Sequence, residues 1–382
     1  MPHWPKWSWN NRSESMGNFE AFLQLLDNPQ DKLPPIIHVA GTNGKGSLVS
    51  ILKSIFIHNG YKVHTYISPH ILRFNERICI GNEIISDEYL FEILERIRLV
   101  YEKHNFTLSF FESVTAAAFL AFSESPADIL ILETGIGGRL DATNIIKDSL
   151  VSAINTIDFD HTNILGNSLQ EIALEKAGII KNNSTLVLGL QNDKVYDILF
   201  KYAEHRNNRV FAYEYDYIAK KEGPRFSYKS QSLTISNVKP ALQGDHQILN
   251  SAFAIAIGEN LANNFVLNPD KIAAGVKKAS HPGRIHKIDA KFFPKYISNT
   301  NELYVDAAHN IGGARALSEW LENFKDKPIY LIVGMTRGKN AGDFISQFKN
   351  IEAIYCVPVF SEASSYTKDE LYDQMSKYTQ YP

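Results

Sequence analysis

Short β-branched runs alternate with longer stretches of helical period, and a glycine-rich segment lies between the first run and the first helical stretch. Together these predict an α/β fold, with a mainly parallel sheet flanked by helices and a second, smaller α/β domain behind it. The strand-like runs are 36–40, 62–67, 128–133, 150–155 and 185–188, each ending in a loop where such sheets bind ligands. Between them, 45–58, 87–101, 111–122 and 169–177 place apolar residues three and four apart, as helices require. Residues 213–237 are less regular and predict short hairpin strands, followed by a helix over 246–261. The run Ser280-His281-Pro282-Gly283-Arg284 breaks the helical pattern before it, which sets a domain boundary between 1–281 and 282–382. The second domain then offers strands at 303–306, 329–334 and 353–357 and helices near 311–324 and 368–377. No internal repeat is visible.

Composition fits this division. A chain of 382 residues exceeds one ordinary core and implies roughly two domains. With 44% apolar and 21% charged residues it is neither disordered nor low in complexity. A net charge of −3 leaves no basic excess for a nucleic-acid partner. Cys79 and Cys356 lack a second cysteine at metal or redox spacing, so a reducing compartment is expected. Residues 1–10 carry three tryptophans and two prolines without an apolar stretch, and the longest uncharged apolar run, 114–122, is too short to cross a bilayer. No membrane association and a cytoplasmic location are the expectation.

The strongest local signal is Gly41-Thr42-Asn43-Gly44-Lys45-Gly46-Ser47, directly after an apolar strand and opening a helix. Glycines let backbone amides approach phosphate oxygens, the helix N-terminus adds partial positive charge, and Lys45 adds a full one. The sheet is therefore expected to be of P-loop type. The strict phosphate-loop pattern is not met, because Val39 stands where a glycine would be and Gly46 follows Lys45. The plain alternative is a glycine-rich turn with a surface lysine.

The departure is informative. Gly-Thr-Asn-Gly-Lys-Gly-Ser after His38-Val39-Ala40 resembles the loop of the Mur ligase superfamily, and within it the folylpolyglutamate synthases. Ser68-Pro69-His70 with Arg73-Phe74-Asn75-Glu76-Arg77-Ile78 is similar to that family's second motif. The run from Glu133 through Thr134, Gly135, Ile136, Gly137, Gly138, Arg139, Leu140, Asp141, Ala142 and Thr143 to Asn144 resembles the bifunctional dihydrofolate and folylpolyglutamate synthases of bacteria. The matches recur in order from residue 41 to Asp306, so the resemblance covers most of the chain. It implies an ATP-dependent ligase with a Rossmann-like second domain. The enzyme would phosphorylate a carboxylate, then join the acyl phosphate to the amine of L-glutamate. The acceptor would be dihydropteroate or the γ-carboxylate of a reduced folate.

Phosphoryl transfer between anions needs cations, and magnesium takes hard oxygen ligands while keeping waters. The resemblance implies Ser68, Glu133 and His161 as magnesium ligands; Glu133 closes a strand at its carboxyl end. Taken singly, a serine before proline is usually a turn and a histidine after an acidic pair a surface residue. Lys176, near a helix end, would ordinarily meet the helix dipole. The family carries a carbamylated lysine there, helping to hold a second Mg²⁺, and burial would favour the neutral amine this needs. Lys45, His161 and Lys176 are thus the expected catalytic groups.

The resemblance further implies that Asn250 touches adenine, Arg284 binds phosphate through its planar fork, and Asp306 and His309 contact ribose or nucleotide. ATP would then lie between domains, whose closure excludes water. Phe111 and Glu112, with Leu140, Asp141 and Ala142, resemble the pterin-contacting segments, and Asp141 suits the pterin's amino and ring nitrogens. Each has a structural alternative. Two departures stand out: Gly17-Asn18-Phe19-Glu20 follows the family's glycine-led segment only loosely, and no glycine-rich closing strand follows Pro358. A shortened second domain is expected. A peptidoglycan-type Mur ligase is the rival enzyme, disfavoured by the short stretch before Pro35; a nucleotide-binding regulator with a degenerate site is the rival from another class. A monomer is expected.

Overall fold

The computed structural model describes residues 12–293 and 301–378. The tryptophan-rich segment 1–10 lies outside the described residues. The chain forms two compact units, one of residues 1–241 and 248–282 and the other of 242–247 and 283–382.

In the larger unit, α1 (Arg12–Leu25) precedes β1 (Ile36–Ala40), α2 (Lys45–His58) and β2 (Val63–Tyr66). A short meander, β3 (Ile78–Ile80) and β4 (Glu83–Ile84), leads to α3 (Asp87–His104), α4 (Phe110–Ser123) and β5 (Ile129–Glu133). Then come β6 (Val151–Ile154), α5 (Thr162–Leu165), α6 (Leu169–Ala177), β7 (Thr185–Leu188), α7 (Asp193–Glu204) and β8 (Arg209–Ala212). These strands form one eight-stranded sheet in the order β4-β3-β2-β5-β1-β6-β7-β8. The six from β2 to β8 run parallel, and β3 and β4 add an antiparallel edge.

β1, β5 and β6 are buried along their whole length, as expected of parallel strands covered on both faces. One core cluster gathers Phe19 and Phe22 of α1, Ile93 and Ile97 of α3, Phe119 and Phe122 of α4, and Leu130 and Leu132 of β5. A second gathers Ile154, Leu186 and Leu188 with Ile172 and Ala173 of α6 and Val195 and Leu199 of α7. Each large side chain so buried contributes about 1.5–3 kcal/mol. From β1 the chain leaves toward β2 on one side, while β6 lies on the other. The carboxyl end of β1 is therefore a point where strand order reverses, and ligands of open α/β sheets bind at such points.

Beyond the sheet, β9 (Tyr217–Glu222), β10 (Arg225–Ser230) and β11 (Thr234–Val238) form the antiparallel hairpins expected there. The helices α8 (His246–Asn260) and α9 (Pro269–Lys278) follow.

The smaller unit holds β12 (His286–Lys287), β13 (Tyr304–Val305), α10 (Ile311–Leu321), β14 (Tyr330–Val333), α11 (Ala341–Ile345), β15 (Ala353–Cys356) and α12 (Lys368–Met375). The pair β14–β15 is parallel and packs its Val333 with Ala314, Phe344, Ile345, Phe348, Leu371 and Met375. The expected strand at 303–306 does not join that sheet. Its central residues pair antiparallel with β12 instead, His286 opposite Val305. Both cysteines are free. Among the described residues no helix is long and apolar enough to cross a membrane.

Candidate active site

The loop after β1 is stitched to the loop after β6. The Thr42 N–H donates to the Thr156 carbonyl (2.9 Å), its hydroxyl donates to the Asp158 carbonyl (3.0 Å), and the Asp158 N–H donates back to that hydroxyl (3.0 Å). The Thr42 amide is thereby engaged within the protein. Gly44 opens α2 with φ +78°, and a Cβ there would stand 2.4 Å from Asn155 Nδ2 and 2.6 Å from Asn250 Oδ1. Only glycine fits both the left-handed backbone and that contact. Asn155 Nδ2 donates to Asn250 Oδ1 (2.8 Å), and both side chains are buried. Asn250, expected at adenine, thus lies against the glycine-rich loop from within the larger unit. Gly46 sits against the His281 ring, and Ser47 is 1% exposed.

Two amines converge on one carbonyl: Lys45 Nζ donates to the Gly41 oxygen (3.1 Å), and so does Lys176 Nζ (2.9 Å). Lys176 is 3% exposed, turned inward from α6 rather than outward to the helix end. Burial, reinforced by the Lys45 charge, pulls its pKa down to about 7, against partial support from Asp160 and Asp141. A buried amine whose pKa is lowered in this way has readier access to the neutral form that carbamylation needs.

Glu133, at the carboxyl end of β5, is 3% exposed and accepts the Ser68 N–H (3.3 Å). His161 takes a left-handed conformation (φ 50°) at the head of α5, its N–H donating to Asp160 Oδ1 (2.8 Å) and its ring 3.9 Å from Asp160 Oδ2. Among the described residues no three His, Cys, Asp or Glu side chains form a ready metal cage. This donor set nonetheless fits magnesium, which keeps several waters and uses one or two carboxylates together with substrate phosphates.

The segments expected at the pterin are firmly built into the fold. Asp141 is buried, its Oδ2 accepting from the Gly135 and Ile136 amides (2.9 and 3.0 Å) and its Oδ1 from the amide and hydroxyl of Thr143 (3.0 and 2.6 Å). Burial raises its pKa against those four bonds. Glu112 closes a capping box with Ser109 at the start of α4 and also accepts from the Ser15 hydroxyl. Ala142 belongs to the core and Leu140 is half-buried. Phe111 lies against Gly135, where a Cβ would come within 2.6 Å of its ring.

In the smaller unit, Asp306 ties two loops together. Its carboxylate accepts from the Ile285 N–H (2.8 Å) and the Ala308 N–H (2.7 Å), and the Ala307 N–H donates to the Gly283 carbonyl (3.0 Å). Arg284 and the Asp306–His309 segment, separate in sequence, are thereby brought together. His246 joins them: burial lowers its pKa, Asp306 raises it and Arg284 lowers it.

Several contributors were not singled out from sequence. Asn155 ends the strand 150–155, and that position at the ligand edge was its only signal. Arg77 was quoted within a motif without a role. Its guanidinium lies 5.7 and 5.5 Å from the Phe74 and Phe110 rings, its Nε donates to His70 Nδ1 (2.9 Å), and burial lowers its pKa against opposing support from Tyr66 and Glu133.

A strand-tip glycine-rich loop, two amines on one carbonyl, and a carboxylate on the adjacent strand fit one class, an ATP-dependent ligase of the Mur type. Residues 39–258 match the Mur ligase middle domain. The chain is 33% identical to the dihydrofolate synthase/folylpolyglutamate synthase of Bacillus subtilis, over 94% of this chain and 84% of that protein. Its fold resembles Mycobacterium tuberculosis folylpolyglutamate synthase complexed with ADP, with a TM-score of 0.85 at 26% identity, over 95% of this chain and 82% of that one. It also resembles a bifunctional folylpolyglutamate synthase/dihydrofolate synthase with Mn, AMPPNP and L-glutamate bound, with a TM-score of 0.83 at 26% identity, over 94% and 83%. The chain belongs to the folylpolyglutamate synthase/dihydrofolate synthase family of ATP-dependent ligases.

Proposed function

We propose that this enzyme adds L-glutamate to dihydropteroate, to the γ-carboxylate of reduced folates, or to both, through an acyl phosphate. Membership of the family supports the reaction, and the observation that carries it to these residues is the convergence of Lys45 and Lys176 on Gly41. Lys45 and the amides of the 41–47 loop other than that of Thr42 hold the triphosphate. The acceptor carboxylate attacks the γ-phosphorus with departure of ADP, glutamate's amine attacks the acyl carbon, and phosphate leaves.

Bound magnesium would neutralise the charge developing on the transferred phosphoryl group. Ser68, Glu133 and His161 are its proposed holders, and carbamylated Lys176 would serve a second ion. Phe111, Glu112, Leu140, Asp141 and Ala142 are proposed at the pterin, where Asp141 would share acceptor capacity now taken by loop amides. Nucleotide contacts for Asn250, Arg284, Asp306 and His309 rest on the family resemblance, to which the grouping of the last three adds support. A monomeric, cytoplasmic enzyme completes the reading.

The test is ADP release measured with dihydropteroate plus glutamate, and separately with a reduced folate plus glutamate. Release dependent on glutamate in either arm supports the assignment and identifies the acceptor. Absence of release in both overturns it.

A further inference from the structure

A cavity of about 300 Å³ opens between the hairpin sheet and α9, lined by Arg225, Asn237, Val238, Lys239, Ala273, Ala274 and Lys277. Its walls carry three cations and no carboxylate. Among the described residues, Lys239 and Lys277 meet no hydrogen-bond or ion-pair partner. Lys277 lies in the last turn of α9, where the helix dipole accounts for a cation. Arg225 stands opposite Glu222 across the hairpin, and Lys239 has neither explanation.

The cavity is built by fixed elements. On one side, α9 is locked to α2: the Ser54 hydroxyl donates to the Gly275 carbonyl (2.7 Å), and a Cβ at Gly275 would meet Ile55 Cα at 2.6 Å. With Ile272 and Val276 buried, the short side chains of Ala273 and Ala274 leave room beside them. On the other side, the register between β10 and β11 steps from Phe226 opposite Val238 to Tyr228 opposite Ile235, so β11 carries one extra residue. Such bulges re-aim side chains. Asn237, within the bulge, has φ 62°, and its side chain accepts from Arg225 Nη1 (2.9 Å). The guanidinium is thus held at the rim by a neutral partner, with Glu222 directly across the β9–β10 pair.

We propose that this cavity binds a small multivalent anion bearing phosphate or carboxylate groups, with its apolar part on Ala273 and Ala274. Arg225 supplies a pre-oriented fork and the two lysines supply point charges. The cavity volume sits at the lower end of small-molecule sites, roughly 300–1,000 Å³, which favours a compact ligand.

The experiment is calorimetric titration of the full chain with pyrophosphate and, separately, tricarballylate, with Mg-ADP saturating so that the nucleotide loop is constant. Binding in either arm is expected, and the arm that binds separates phosphate from carboxylate recognition. The K239E/K277E variant should weaken it by at least about tenfold, because it reverses two of the three positive charges lining the cavity. The milder K277Q, checked for an unchanged melting curve, should weaken it less. No binding of either probe to the native chain, or equal binding to K239E/K277E, overturns the proposal.

Discussion

Replacing Lys176 with methionine should stabilise the protein while abolishing its activity. The amine's pKa falls from 10.5 to about 7 on folding, which at about 1.36 kcal/mol per pH unit is a penalty of roughly 4–5 kcal/mol on burying the charged form. In the unfolded chain the amine keeps its proton up to about pH 10.5, whereas the folded chain releases it above about 7. Between those values the unfolded state binds more protons, so stability rises with pH; below 7 the full penalty is present. Methionine has similar length and no charge to desolvate, and losing the hydrogen bond to Gly41 returns about 1 kcal/mol. A net gain of about 3 kcal/mol at neutral pH follows. Urea unfolding of both proteins in CO₂-free buffer, from about pH 6 to 10, measures it. A native curve flat across that range, or a variant less stable than the native protein at neutral pH, would refute the reasoning.

Gly44→Ala should cost about 2–4 kcal/mol, combining the left-handed backbone with a Cβ 2.4 Å from Asn155 Nδ2. It should also raise the KM for ATP; a denaturation midpoint within experimental error of native would contradict the packing. Lys45→Ala is expected to lower kcat/KM for ATP by roughly 10²–10³-fold with unfolding nearly unchanged; normal kinetics would remove it from the phosphate site. For Glu133→Gln, magnesium titration of ADP release should shift to concentrations higher by about 10–100-fold. An unmoved titration curve would exclude Glu133 as a ligand.

Much of the larger unit was legible because it depends on local pattern. The strand Ile36–Ala40, the helix Lys45–His58 and the helix Leu169–Ala177 have the bounds their apolar spacing indicates. Elements passed over were short or marginal in period, such as the three-residue Ile78–Ile80 and two-residue Glu83–Ile84 strands, which only neighbouring strands stabilise. The helix Asp193–Glu204 did carry a signal, with Asn192 as its cap and Val195, Leu199 and Ala203 four apart.

The sequence by itself determined the strand-loop-helix at residues 36–58 and the order of motifs that identifies the family, because backbone period and glycine placement are local properties. Tertiary structure alone decided which distant groups meet. Nothing local told that Lys176 turns inward to share the Gly41 carbonyl with Lys45, 131 residues earlier. Nor did it show that Asn155 and Asn250 brace the same turn, 95 residues apart. Such contacts depend on which strands lie side by side, and the depressed proton affinity of Lys176 exists only once neighbouring atoms have excluded water from it.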